Sequence, residues 1–315
     1  MTARTRNPKV CVCICTCDRR QRLSSLLTHL AELSPIEGYE VELLIIDNDP
    51  NGSSKRIYDE WQSRLPFSLH VAEETKRGIP FARNRAVDTA LDAVGADYVA
   101  FIDDDDTPRP DWLRHLLSAA RATRADLVLG NWTWANEIQI PPWLQNVGFL
   151  HPTGARSGLF GRPLGGATCN VLVGRSLLDS LRGKGQVFSE QFAFTGGEDT
   201  EFFVRAAKMG ATFHRCEESM VFRRWDPDRL TLRGVMKRAF CYGITQGRIA
   251  RLHLPQNEQR NRYRRKWKQL RKDFTRCITK AFLREKSEAL SYLSRGVTRA
   301  GYIFGVHGGT IRYYR

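Results

Sequence analysis

Short apolar runs alternate with helically spaced segments through the first half of the chain. Residues 10–16 form one such run and predict a first strand, ended by Asp18 and Arg19. Leu23, Leu26, Leu27, Leu30 and Leu33 then recur at three or four positions, one face of a helix over 22–33. Further strands are expected over 41–46, 68–71, 97–102 and 126–130, and helices over 53–65, 81–93 and 111–123. Pro80 stands at the opening of the 81–93 helix, where a missing N–H costs nothing. Such alternation implies a mostly parallel, Rossmann-like α/β sheet flanked by helices.

The pattern loosens over 131–165, where Trp132, Trp134 and Trp143 stand among Pro141, Pro142, Pro152 and Pro163. This reads as a long connection of the kind that carries lids or binding loops. Its tryptophans suit packing of the loop or stacking on a sugar ring. Beyond it, Gly165-Gly166 leads into a strand ending at Val173, and Gly196-Gly197-Glu198-Asp199 opens a helix over 202–209. Strands over 211–216 and 220–224 and a helical region over 230–254 follow. Between Gln256 and Lys286, twelve Lys and Arg stand against three acids, with Tyr263, Trp267, Leu270, Phe274, Ile278 and Phe282 at three- and four-residue spacing. That is an amphipathic basic helix suited to an anionic membrane interface. The plainer alternative is a helix docked on its own domain with a solvated basic face. The tail over 296–315, rich in glycine and aromatics, is also expected to touch lipid. The expected division is therefore 1–254 and a C-terminal region, 255–315.

The length, 315 residues, fits one large domain or a domain with an appendage. A net charge of +15 points to an anionic partner: a membrane surface, a nucleic acid or a phosphate-bearing substrate. The basic start precedes only about eight apolar residues with no small-residue cleavage pattern, so no signal peptide is expected. No run approaches the ~18 apolar residues of a spanning helix. The expectation is a cytoplasmic protein, peripheral on the cytoplasmic face of the inner membrane. The eight cysteines fit a reducing compartment. Cys11, Cys13, Cys15 and Cys17 alternate, so a strand would line them up ~7 Å apart on one face. A straight line cannot surround a tetrahedral metal, and they read as small buried hydrophobes.

Candidate chemistry centres on Asp103-Asp104-Asp105-Asp106, which stops the 97–102 strand. Four adjacent like charges call for an offset, and a hard divalent cation, Mg2+ or Mn2+, supplies one through oxygen ligands. An acidic solvent-exposed turn is the bland reading. Asp18, Asp47 with Asp49, and Asp103 to Asp106 all end strands, and parallel strands bring such ends to one crevice. Neither a Gly-x-Gly-x-x-Gly turn nor a Walker lysine loop is present, so carboxylates and a metal would have to hold any nucleotide. Glu198 and Asp199 either complement a helix dipole or supply a general base. The double glycine before them permits close backbone approach.

In this order and spacing the motifs resemble the family-two inverting glycosyltransferases of GT-A fold, and among them bacterial enzymes that extend exopolysaccharides such as succinoglycan. The resemblance spans 10–254. It rests on Thr16-Cys17-Asp18-Arg19, Ile46-Asp47-Asn48, Gly78 through Ala82-Arg83-Asn84, Asp103 to Asp106 as the Asp-x-Asp motif, and Gly197-Glu198-Asp199. It implies that Asp47 bonds the nucleotide base, with Thr16, Asp18 and Arg19 lining the same pocket. Asp103 meets the ribose beside Asp104, and Asp105 binds the metal that bridges the diphosphate. Arg83 supports the acidic cluster or reaches phosphate, Asp199 is the general base, and Glu198 positions acceptor or base. The implied donor is a UDP-hexose, the acceptor lipid-linked or polysaccharide, and no nucleic acid is expected. The sequence departs from the family in carrying Cys17 and Asp18 where an aromatic and Asn are usual. Phe222-Arg223-Arg224-Trp225 stands where a further metal ligand is usual, so an arginine there is expected at the diphosphate. Two other readings compete. A nucleotidyltransferase would want a glycine-rich Arg/Lys loop on the first strand, unlike Thr16-Cys17-Asp18-Arg19. A nucleic-acid-binding protein is opposed by the acidic crevice.

Overall fold

The computed structural model describes residues 6–52, 55–135, 141–144, 147, 168–224 and 230–311. Pro152, Pro163, the Gly165-Gly166 lead-in and Trp225 lie outside these. Contacts divide the chain into two compact units. The first takes in Met1–Trp134, Arg162–Ala193 and Glu198–Arg224, and the second Ala135–Gly161, Phe194–Gly197 and Trp225–Arg315.

The first unit is built on one sheet. Its described strands are β1 (Lys9–Thr16), β2 (Glu40–Asp47), β3 (Ser68–Glu73), β4 (Tyr98–Asp103), β5 (Asp106–Pro108), β6 (Leu127–Trp134), β7 (Val171–Gly174) and β8 (Phe213–Arg223), ordered β3-β2-β1-β4-β7-β6-β8-β5. β3, β2, β1 and β4 run parallel. β7 runs antiparallel to both β4 and β6, and β5 antiparallel to β8. β6 and β8 run parallel. The sheet is thus mixed, and its larger parallel block, β3-β2-β1-β4, is the part with strand–helix alternation. Around it lie α1 (Arg20–Ala31), α2 (Lys55–Trp61), α3 (Ile79–Asp88), α4 (Trp112–Thr123), α5 (Arg175–Arg182) and α6 (Glu198–Lys208).

The near-continuous burial of β1 and β2 is that of strands covered on both faces. Val10, Val12 and Ile14 share a core with Leu23, Leu26, Leu27 and Leu30 of α1 and with Trp112 of α4. The alternate positions Cys11 and Cys13 are fully buried, and Cys13 Sγ lies 4.0 Å from the Ala86 carbonyl of α3. All eight cysteines are free thiols.

Several expectations change. β6 runs on to Trp134, so Trp132 and Trp134 belong to a strand, their rings edge to face at 5.3 Å. A bulge between Leu129 and Asn131 lets β8 stay paired along this extension, which merges two expected strands into one. α3 ends at Asp88 and continues as a π-helical stretch, Thr89–Val94. β5 is too short to carry a periodic signal, and α5 is an added helix whose Leu177, Leu178 and Leu181 share one buried face.

The second unit is dominated by α7 (Leu232–His253), α8 (Gln256–Phe282) and α9 (Lys286–Val306). Residues 232–253 therefore group with the C-terminal helices, not with the sheet. α7 and α9 meet through two Gly-x-x-x-Gly stripes, Gly243 with Gly247 and Gly301 with Gly305. A Cβ at Gly243 would sit 2.0 Å from the Thr298 carbonyl oxygen, and one at Gly301 would sit 2.2 Å from that of Phe240. The backbones approach this closely because these positions have no side chain. The tail expected at lipid is therefore largely a helix, with Gly301, Tyr302 and Gly305 buried. Gly197 (φ 97°) has its space taken by Thr245 of α7, whose hydroxyl donates to the Gly196 carbonyl at 3.0 Å. No helix among the described residues is long and apolar enough to cross a membrane.

Candidate active site

Strand register assembles the site at one edge of the sheet. Thr16 pairs with Asp47 across β1 and β2, and Cys15 with Asp103 across β1 and β4, so three strand ends lie side by side. Asp18 follows in the left-handed region (φ 51°), a conformation Asp tolerates, and its side chain is exposed. Arg19 beyond this turn donates to Asp104 Oδ1 at 2.9 Å, and Thr16 Oγ1 donates to Asp104 Oδ2 at 2.8 Å. Asp104 is only 3 % exposed. Burial pushes its pKa up to about 6, against the opposing pull of Arg19 and Thr16.

The neighbouring acids are also held by arginines. Arg22 of α1 reaches Asp105 Oδ2 at 3.4 Å. β5 pairs with β8 so that Asp106 faces Arg223, whose Nε donates to Asp106 Oδ1 at 3.1 Å. Nη2 of Arg223 donates to Asp103 Oδ2 at 3.2 Å. Arg83 of α3 takes the other oxygen of Asp103 at 3.2 Å and also pairs with Glu198 Oε1. Asp103 is thus shared between two arginines from distant parts of the chain.

Glu198 opens α6, is 5 % exposed, and has a buried Oε2 with no hydrogen-bond partner. Burial raises its pKa to about 7, with Arg83 pulling down and Asp199 adding upward pressure. Asp199 is less buried, and its Oδ1 accepts from the Thr200 amide at 2.6 Å. Asp47 is buried and accepts from the Asp49 amide at 3.0 Å. Asn48 donates to the carbonyls of Glu74 and Lys76 at 2.7 and 2.9 Å and accepts from the Gly78 amide at 2.8 Å. That latch fixes the loop from which α3 presents Arg83.

Thr16, Arg19, Asp104 and Asp105 thus join one set of ion pairs and hydrogen bonds, and Arg83, Asp103 and Glu198 a second; the two meet along the Asp103–Asp106 run, and Asp47 adjoins it through strand register. Asp18 stays outside it among the described residues. Asp199 reaches it through its field on Glu198 and Arg83. Arg22, Asn48, Asp106 and Arg223 are additions. Arg223, in the segment expected to place an arginine at a diphosphate, ties Asp106 to Asp103. Its sequence signal was the Arg pair in place of a metal ligand.

The donor set suits a hard divalent cation. Carboxylates of Asp103 to Asp106, Glu198 and Asp199 outnumber the guanidinium groups of Arg19, Arg22, Arg83 and Arg223. Asp103, Asp106 and Cys169 each place one ligand atom within 4.8 Å of the others. Asp106 Oδ2 is buried without a hydrogen-bond partner. Burial pushes the Cys169 thiol well above its ordinary pKa, and the two carboxylates are the harder ligands of the three.

Comparison with known proteins places this geometry. The profile described as "Glycosyl transferase family 2" matches residues 11–178. The succinoglycan biosynthesis protein ExoM of Rhizobium meliloti is 31 % identical over 233 residues, 73 % of this chain and 72 % of that protein. Among solved structures, Staphylococcus aureus TarS 1-349 in complex with UDP superposes with a TM-score of 0.54 at 16 % identity, covering 98 % of this chain and 93 % of that one. The mannosyltransferase PcManGT of Pyrobaculum calidifontis, in complex with GDP-Man and Mn2+, gives a TM-score of 0.54 at 17 % identity, covering 97 % and 77 %. These two likenesses establish the GT-A-type fold. The profile match takes in most of β1, all of β2 and β4 and the whole acidic run, and the identity to ExoM extends over most of the chain, so this protein belongs to glycosyltransferase family 2.

Proposed function

We propose that the protein is an inverting glycosyltransferase that moves a hexose from a UDP-sugar onto a lipid-linked or polysaccharide acceptor. The setting is bacterial exopolysaccharide or other surface-glycan synthesis, at the cytoplasmic face of the inner membrane. The observation that carries this reading is the Arg83 bridge, which joins the acidic strand end at Asp103 to Glu198, the neighbour of the expected base. The likeness to ExoM supports the pathway class, and the TarS complexes with UDP and UDP-GlcNAc support the donor class.

In this reading Asp47 bonds the base, with Thr16, Asp18 and Arg19 around it, and Asp103 meets the ribose. Asp104 anchors Thr16 and Arg19 from below. Asp105, with Asp103 and Asp106 beside it, would hold Mg2+ or Mn2+. When bound, the ion neutralises charge on the departing diphosphate as a Lewis acid. Arg22 lies against Asp105 and shares that compensation. Asp199 accepts the proton of the acceptor hydroxyl as its oxygen bonds the anomeric carbon. The bond from that carbon to the diphosphate oxygen breaks on the opposite face, and its electron pair leaves with the diphosphate. Glu198 is clamped by Arg83 and buried, which suits positioning. Asp199 is more open, which suits proton transfer.

Nucleoside-diphosphate release from UDP-, GDP- and dTDP-sugars, with a membrane extract as acceptor and with or without Mg2+ or Mn2+, tests the proposal. Metal-dependent release from a UDP-sugar is expected. It should be lost in Asp105→Ala and lowered on the order of a thousandfold in kcat by Asp199→Asn. A folded protein that releases nothing from any donor would sink the transferase reading, and pyrophosphate as product would make it a nucleotidyltransferase.

A further inference from the structure

The second unit carries a surface that the proposed reaction leaves unused. Along α8, positions 260, 264, 267, 271, 274, 278 and 282 recur at three or four residues and so share one face. Its C-terminal part is apolar and open: Trp267 and Phe274 are each more than 40 % exposed, Ile278 69 % and Phe282 88 %. The opposite side of α8 is accounted for, since Leu270 and Asp273 are buried and the helix packs along α9. Phe274 also lies beside Gly296 of α9, while Ile278 and Phe282 are surplus to the fold.

The charges are sorted in the same way. Of the three acids in the arm, Asp273 turns inward to Arg299, and Glu285 pairs with Lys280 at 2.6 Å. Arg264, Arg265, Lys268, Arg271 and Lys272 all remain exposed, and helical spacing sets Arg264, Lys268 and Arg271 on or beside the apolar stripe. At the N-terminal end of the same face, Arg260, Tyr263 and Arg264 of α8 line a groove with His307, and the Tyr263 hydroxyl lies 3.2 Å from His307 Nε2. An apolar stripe flanked by unneutralised cations and ending in a basic groove matches the two layers of a leaflet, acyl chains and anionic headgroups. The excess of positive charge selects that occupant over a second copy of the same surface, which would repel it.

We propose that α8 is a membrane-docking surface with two distinct parts. Trp267, Phe274, Ile278 and Phe282 enter the acyl boundary, while Arg260, Arg264 and His307 seat the phosphate of an anionic phospholipid. The helix then enters the interface with its C-terminal end the deeper. This rests on the reading that the acceptor is met at a membrane, and it names the residues that make the meeting.

The test is flotation of the full-length protein with vesicles of phosphatidylcholine alone and of phosphatidylcholine with phosphatidylglycerol. Binding only to the second kind is expected, weakened by salt. Arg260→Gln with Arg264→Gln should weaken it roughly thirtyfold, from the loss of two surface cations. Phe274→Ser, Ile278→Ser and Phe282→Ser together should weaken it at least about tenfold, and Ile278→Ser with Phe282→Ser, the two most exposed positions, should weaken it in part while melting temperature holds. Equal binding to both vesicle types overturns the headgroup groove, and binding unaffected by the triple variant overturns the stripe. Light scattering that shows a lipid-free oligomer dissolved by the triple variant would make the stripe a self-association face. A shift of single-stranded RNA without vesicle binding would make it a nucleic-acid face. Donor hydrolysis by the same wild-type sample separates the two readings: activity without flotation removes the docking surface and leaves the transferase.

Discussion

The two units treat charge in opposite ways. At the sheet edge of the first, carboxylates and arginines fold inward together, and Asp104, Asp106 and Glu198 are buried with their partners beside them. On α8 of the second, cations of one sign stay in water and the acids of the arm are largely spent on internal pairs. Charge buried among opposite charge is fixed in place and shifted in pKa, which suits chemistry. Charge left exposed costs the fold little and is felt at a distance, which suits an address.

The sharpest way to break this contrast is to remove one arginine from the sheet edge. Arg223→Met leaves Asp106 buried without its cation and Asp103 with one partner instead of two. Breaking a buried pair in this way costs about 3–5 kcal/mol, readable by urea denaturation. A loss below about 1 kcal/mol would mean the cluster holds its charge by other means. Next in size is Gly243→Val in the second unit, where the contact is backbone on backbone and owes nothing to charge. Overpacking at that position should cost about 1–3 kcal/mol. A neutral outcome would show that α7 and α9 can slide apart at no cost.

The effect of pH should divide along the same line. Burial lifts Glu198 from an ordinary value of 4.5 to about 7, so the folded state holds this proton more tightly than the unfolded chain. Its contribution is complete below about 4.5 and is lost as pH rises through about 7. Asp104, lifted from 3.8 to about 6, adds to the same slope. Melting temperature should fall across this window, and Glu198→Gln should flatten the fall while retaining a partner for Arg83. An unchanged slope would place the titration elsewhere. The smallest effect belongs to the exposed helix face, where Lys268→Gln should change stability by no more than about 0.5 kcal/mol.

How far the sequence could be read follows from how local each signal is. β1, β2 and β4 declare themselves through unbroken apolar runs and the acids that stop them. Parallel pairing then brings Asp47 and Asp103 together without further information. β5 is three residues long and exists through its pairing with β8, so no periodicity could reveal it. The tie of Arg223 to Asp106 was hidden with it. α9 read as a loose tail because glycine weakens a helical pattern. Gly301 and Gly305, four apart, were a sign of close helix packing all the same. The exposure of Asp18 came from a positive φ at one residue, which composition does not announce.

The sharing of Asp103 has a consequence for how the protein is made. Arg83 precedes Asp103 by twenty residues, whereas Arg223 follows it by 120. At ribosomal speed that interval is on the order of ten seconds. During it, Asp103 to Asp106 leave the exit tunnel as an acidic run with one of its four arginine partners still untranslated. The acidic edge of the sheet is thus among the last features of the first unit to close. A chain interrupted before Arg223 would carry the whole acidic motif and still lack the cation that completes it.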